Sequence, residues 1–83
     1  MSEKTSRPTP QEPPSIGTLL VDPERGDRVG EFRGVSGPYW SIRPVTGGTE
    51  WEADPATLRP PGQAERLRAE TARANARSRG ELL

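Results

Sequence analysis

The large apolar side chains of this chain are gathered between Ile16 and Leu58, and three of its four aromatic residues stand in one window, Gly37–Trp51 (GPYWSIRPVTGGTEW). Phe32, the fourth, lies just upstream, and the first fifteen residues contribute only Met1. Any core must therefore come from a segment of about 45 residues, near the lower limit for folding without disulfides or metals. The chain has no cysteine and no histidine, so neither staple is available. The aromatic residues are then either the only core the chain possesses or a surface that grips a partner. Phe32 and Trp51 are expected mainly inside, with Tyr39 and Trp40 partly exposed, because so small a core rarely buries two Trp rings completely.

Proline and glycine cut this segment into short pieces. IGTLLV, Ile16–Val21, ends at Asp22-Pro23 and is too short for a helix, so it reads as a strand. DPERGD supplies turn chemistry, and RVGEFRGV, Arg28–Val35, is a second strand whose Gly30 and Gly34 point to a bulge or bend. YWSIRPV, Tyr39–Val45, is a third, with Trp40 and Ile42 on one face and Tyr39, Ser41 and Arg43 on the other. Gly47-Gly48 make a tight hairpin turn into TEWEA, Thr49–Ala53, the fourth strand. Asp54-Pro55 begins one helical turn, and Leu58-Arg59 offers a brief fifth strand. These parts predict a mainly β fold over residues 16–60: a small, SH3-like, five-stranded antiparallel barrel, whose closure hides the sheet edges.

The flanks differ in kind. Residues 1–15 carry four prolines and no β-branched apolar residue, which predicts a disordered tail. Within it, Arg7–Pro13 fits the R-x-x-P-x-x-P pattern of peptides that dock in aromatic grooves, although flexible leaders are often proline-rich for no such reason. Residues 61–83 read as a linker and a helix rich in Ala, Arg and Glu, with Leu67 its only large apolar residue before the terminal leucines. With so little apolar surface the helix is expected to project into solvent, Arg66, Arg73 and Arg77 forming a stripe with Glu70 among them.

The run Val29–Pro60 holds Val29-Gly30, Gly37-Pro38, Arg43-Pro44, Gly47-Gly48, Glu50-Trp51, Asp54-Pro55 and Arg59-Pro60. That pattern resembles a group of small actinobacterial proteins of the Streptomyces type. The resemblance implies a compact domain in a soluble cytoplasmic protein, in the company of regulatory genes, and brings no biochemical activity with it.

Function is bounded mostly by chemistry. Without His or Cys, acid–base and nucleophilic work falls to carboxylates, Tyr39 and hydroxyls, and a barrel of this size has no interior cavity to shift their pKa values. No calcium-loop spacing occurs and soft ligands are missing, so no metal or other cofactor is expected and the chain is read as a non-enzyme. A formal net charge of zero gives no overall pull toward nucleic acid or membrane. No apolar run reaches membrane-spanning length, and the N-terminus lacks a signal-peptide core, which predicts a cytoplasmic protein. The leading expectation is a non-catalytic protein-interaction module, an accessory of a bacterial regulatory system, binding through Tyr39 and Trp40 with Arg43 and Arg59 at the rim. The alternative is an RNA- or DNA-associated module, a ribosome or polymerase partner, using Arg66, Arg68, Arg73, Arg77 and Arg79 to track phosphates.

Overall fold

A computed structural model describes residues 12–78. The expectations for residues 1–11 and for Arg79 lie outside the described residues. Four antiparallel strands form one sheet in chain order: β1 (Leu19–Asp22), β2 (Arg28–Ser36), β3 (Tyr39–Pro44) and β4 (Trp51–Ala53). A 16-residue helix, α1 (Gln63–Ser78), follows. The fifth strand is reduced to a single bridge, in which Val21 and Arg59 exchange backbone hydrogen bonds of 2.8 and 3.0 Å on the free edge of β1.

Local chemistry sets the strand ends. Gly17 takes φ +95° and Thr18 N–H donates to Ser15 O, so the backbone turns at Ile16 and β1 starts only at Leu19. Ile16, expected inside the first strand, is consequently exposed. Asp22 stops β1 by accepting the N–H of Glu24, which opens a 3₁₀ turn at Pro23–Arg25 closed by Gly26 at φ +71°. Gly47 and Gly48 lie at φ +86° and +110°, as the hairpin between β3 and β4 requires. The expected helical turn after β4 is a hydrogen-bonded turn, with Asp54 accepting from Ala56 and Thr57.

The core follows the register. Phe32 pairs with Ile42, Ile42 with Trp51, and Trp40 with Ala53, placing all five on one face with Leu20. A bulge between Phe32 and Gly34 switches the parity of β2, so Val35 stands opposite Trp40 although it is out of step with Phe32. Phe32 and Trp40 meet edge to face at 5.1 Å, a contact that stabilises by about 0.5–1.5 kcal/mol beyond burial. Gly30 is the one core-face position in β2 with no room for a side chain. A Cβ there would collide with Ile42 and stand 2.7 Å from Arg43 O and 3.0 Å from the Trp51 ring.

Two expectations are corrected here. Trp40 is buried, at 7% exposure, because its register with Ala53 turns it onto the core face against Phe32. And α1 does not project free into solvent. Arg73 reaches Glu31 at 2.8 Å and Gly17 O at 3.3 Å, while Ala69 and Ala76, one helical turn to either side of it, are buried. Glu31 pairs with Leu19, so this helix face lies over the outer side of β1 and β2. Leu19 and Val21, buried but outside the core cluster, stand on this same side of the sheet. Small side chains let the helix backbone approach closely, so it docks without a large apolar residue; Leu67 is on the open side, 67% exposed.

Candidate functional site

Among the grooves of the described surface, one is built mainly from apolar side chains. Leu20 and Trp40 form its floor where the core reaches the surface, and Pro55, Leu58 and Pro60 come from the segment after β4. Pro14 and Glu12, upstream of β1, complete its wall, enclosing about 210 Å³. The position follows from topology: β1 and β3 bring Leu20 and Trp40 to one side, and the Val21–Arg59 bridge holds Leu58 and Pro60 beside them.

Arg59 also lines this groove, but its guanidinium is engaged elsewhere. Nη1 and Nη2 each donate to Glu65 at 2.8 Å, and Asp27 Oδ1 lies 3.8 Å from Nη2. The fork from Arg59, with the N–H of Gly62 donating to the same carboxylate, holds the Glu65 pKa down to about 2. The Arg59 pKa is raised for the reciprocal reason. Glu65 thereby caps α1 from its third position and ties the helix to the edge of the sheet. Arg59 acts as a clamp between elements and offers little unsatisfied charge to a ligand.

Next to the groove lies a polar cleft of about 520 Å³ lined by Asp22, Glu24, Arg25, Tyr39, Glu52, Ala53 and Asp54. Asp54 and Pro55 are consecutive, and each lines one of the two sites. Tyr39, at 45% exposure, faces this cleft. Tyr39 and Trp40 therefore do not form one aromatic shelf, because adjacent strand residues point to opposite faces. Arg43 is in register with Glu31 and lines neither site.

The helix arginines differ in their surroundings. Arg73 faces the sheet, Arg66 lies 4.0 Å from Glu70, and Arg68 lines a third cleft of about 490 Å³ between α1 and the sheet. Arg77 is exposed, and it shares one side of α1 with Arg66 and Arg73. Sequence reasoning missed the roles of Asp22, Arg25 and Arg28. The Trp51 indole donates to Asp22 Oδ2 at 2.9 Å, and the guanidinium carbons of Arg25 and Arg28 lie 5.5 and 4.8 Å from its ring centroid. Asp22-Pro23 signals only a turn locally; the indole partner stands 29 residues away.

The remaining polar groups are conventional. Glu52 accepts from the Ser36 hydroxyl and Glu50 from that of Ser41, both at 2.8 Å on the exposed face. Among the described residues no group of three or more carboxylates is placed to hold a metal ion, and no helix is long and apolar enough to cross a membrane. Comparison with protein-family models, with curated proteins and with solved structures returns no match to this chain.

Proposed function

We propose that this protein is a non-catalytic interaction module that binds an extended, apolar segment of a partner protein in the groove of Leu20, Trp40, Pro55, Leu58 and Pro60. The observation that carries the reading is that groove itself, where the indole of Trp40 and the core edge meet two prolines at the surface. An aromatic and aliphatic floor of this kind suits a peptide in polyproline or extended conformation, which has few backbone donors to satisfy and little entropy to lose. The Val21–Arg59 bridge, following a tight turn, also favours an SH3-like barrel as the finer description of the sheet. On this reading the protein works in the cytoplasm as an accessory of a regulatory system.

The nucleic-acid alternative draws less support. Arg73 is turned to the sheet and paired with Glu31, and Arg66 lies beside Glu70. Titration of the isotope-labelled protein separates the two. Proline-containing decapeptides are expected to shift the Trp40 indole and the Leu20 and Leu58 methyl signals, with little change between low and moderate salt. Shifts at Arg66, Arg68 and Arg77 caused by oligonucleotides, weakening steeply with salt, would favour the alternative and overturn the groove reading.

A further inference from the structure

We infer that the cleft between α1 and the sheet is a second binding site, separate from the peptide groove, and that it takes a small organic carboxylate with an apolar body. The shape of the cleft and its balance of charge carry this inference, and neither depends on what occupies the groove.

The shape follows from how the helix is tied down. Arg73 fastens α1 to β2 through Glu31, and the Arg59–Glu65 fork fastens its first turn to the sheet edge. At 100° per residue, Arg68 and Ala72 lie about 140° and 100° round the helix from Arg73, on its other flank. That flank stands over Val29, near the start of β2, and over Pro44 and Val45, at the end of β3. About 490 Å³ stays open between them, because the apolar groups the helix brings to the cleft are only the methyls of Ala69 and Ala72. The volume falls in the range of small-molecule sites, about 300–1,000 Å³. A lining of valine, proline and alanine suits the apolar body of a ligand.

Charge supplies the polar end. Asp27, Arg28, Glu65 and Arg68 are the charged residues of the lining. Both acids are turned to Arg59, Glu65 at 2.8 Å and Asp27 at 3.8 Å. Neither Arg28 nor Arg68 takes part in an ion pair among the described residues. Arg68 is the weakest of the influences that lower the Glu65 pKa, behind the hydrogen bonds from Arg59 and Gly62. With Arg59 included, three guanidinium groups face two carboxylates, which leaves one positive charge for a ligand. Arg28 is held in place as well, its guanidinium carbon 4.8 Å from the Trp51 ring centroid. A guanidinium stacked by its face keeps its in-plane N–H donors for an anion. One planar carboxylate, able to accept from two guanidinium groups, matches both the charge and the donors.

Titration of the isotope-labelled full chain with 4-phenylbutanoate tests this, with acetate and the neutral 4-phenylbutanamide alongside. The acid is expected to shift the Val29 and Val45 methyl signals and the Ala72 amide, and to saturate. Acetate lacks the body and the amide lacks the charge, so each should bind at least about tenfold more weakly. Arg68→Gln, at an exposed helix position, should weaken the acid by at least about tenfold while the thermal melt stays at wild type. Arg77→Gln, which lies outside the cleft, should leave the affinity unchanged. Absence of a saturable shift overturns the proposal. So does equal binding of the acid and its amide, equal binding of the acid and acetate, or an affinity indifferent to Arg68→Gln. Shifts confined to Leu20, Trp40 and Leu58 would put the acid in the peptide groove and overturn the second site. The groove reading itself stands or falls on the proline-peptide titration, whichever way this one turns out.

Discussion

Replacing Trp51 by phenylalanine removes one buried N–H while keeping an aromatic ring in the core, and the structure allows its cost to be worked out. Trp51 is 6% exposed and donates to a carboxylate, Asp22, that is itself 3% exposed. A hydrogen bond to a charged group contributes about 1.5–3 kcal/mol, and the abandoned oxygen has only Arg25 Nε, at 4.0 Å, as a further partner. The smaller ring leaves space beside Ile42, and a poorer cation–π surface for Arg25 and Arg28 subtracts about 0.5–1 kcal/mol more. A total near 3 kcal/mol is expected, a large share of the roughly 4–12 kcal/mol available to a chain of this size. Trp40→Phe is the reference, because the indole of Trp40 has no carboxylate partner among the described hydrogen bonds. Urea unfolding followed by circular dichroism should place Trp51→Phe well below Trp40→Phe in stability. A cost for Trp51→Phe equal to or smaller than that for Trp40→Phe would show that the Asp22 bond contributes nothing and that the reasoning is wrong.

Three further outcomes can be checked. Gly30→Ala should destabilise by about 1–3 kcal/mol or more, since one of the colliding atoms is backbone and cannot swing away; thermal melts read this directly. The Glu65 carboxyl has a folded-state pKa of about 2, below its ordinary value, so its contribution to stability is fully present above the ordinary carboxylate range and is lost as pH falls toward 2. Glu65→Gln should flatten the acid side of the stability curve in that window, as pH-resolved urea titrations would show. Arg73→Ala should leave Glu31, only 13% exposed at its side chain, without its main partner and loosen α1 from the sheet. Faster amide hydrogen exchange across Ala69–Ala76, with the β2 and β3 amides unchanged, is the expected signature.

Much of the sheet was legible before any tertiary information. Gly47-Gly48, Asp22-Pro23 and the alternation through Trp40, Ile42, Trp51 and Ala53 rest on φ preferences and the two-residue period of a strand, which act over a few neighbours. Membership of Phe32 and Trp51 in the core follows from there being so few large rings to build one. The helix was legible as a helix from its Ala, Arg and Glu content, but its docking was not. Alanine carries almost no hydrophobic signal in a sequence, yet at close approach it is the side chain that lets the helix axis reach the outer face of β2, where Arg73 meets Glu31.

The sites themselves were decided only by the fold. The groove joins residues 14, 20, 40, 55, 58 and 60, and the polar cleft joins residues 22, 24, 39, 52 and 54, through strand pairings that no local preference encodes. Strand pairing decides which of the two faces is the core, turning Trp40 inward and its neighbour Tyr39 to the carboxylates, and the packing of α1 at the sheet edge puts Glu65 on Arg59. Residue type determined which groups were available in this chain: aromatic rings, prolines, carboxylates and guanidinium groups, with no thiol or imidazole. Which of them meet is a long-range property, because hydrogen-bonded register and close packing bring together positions tens of residues apart, and side-chain chemistry reads only its immediate surroundings.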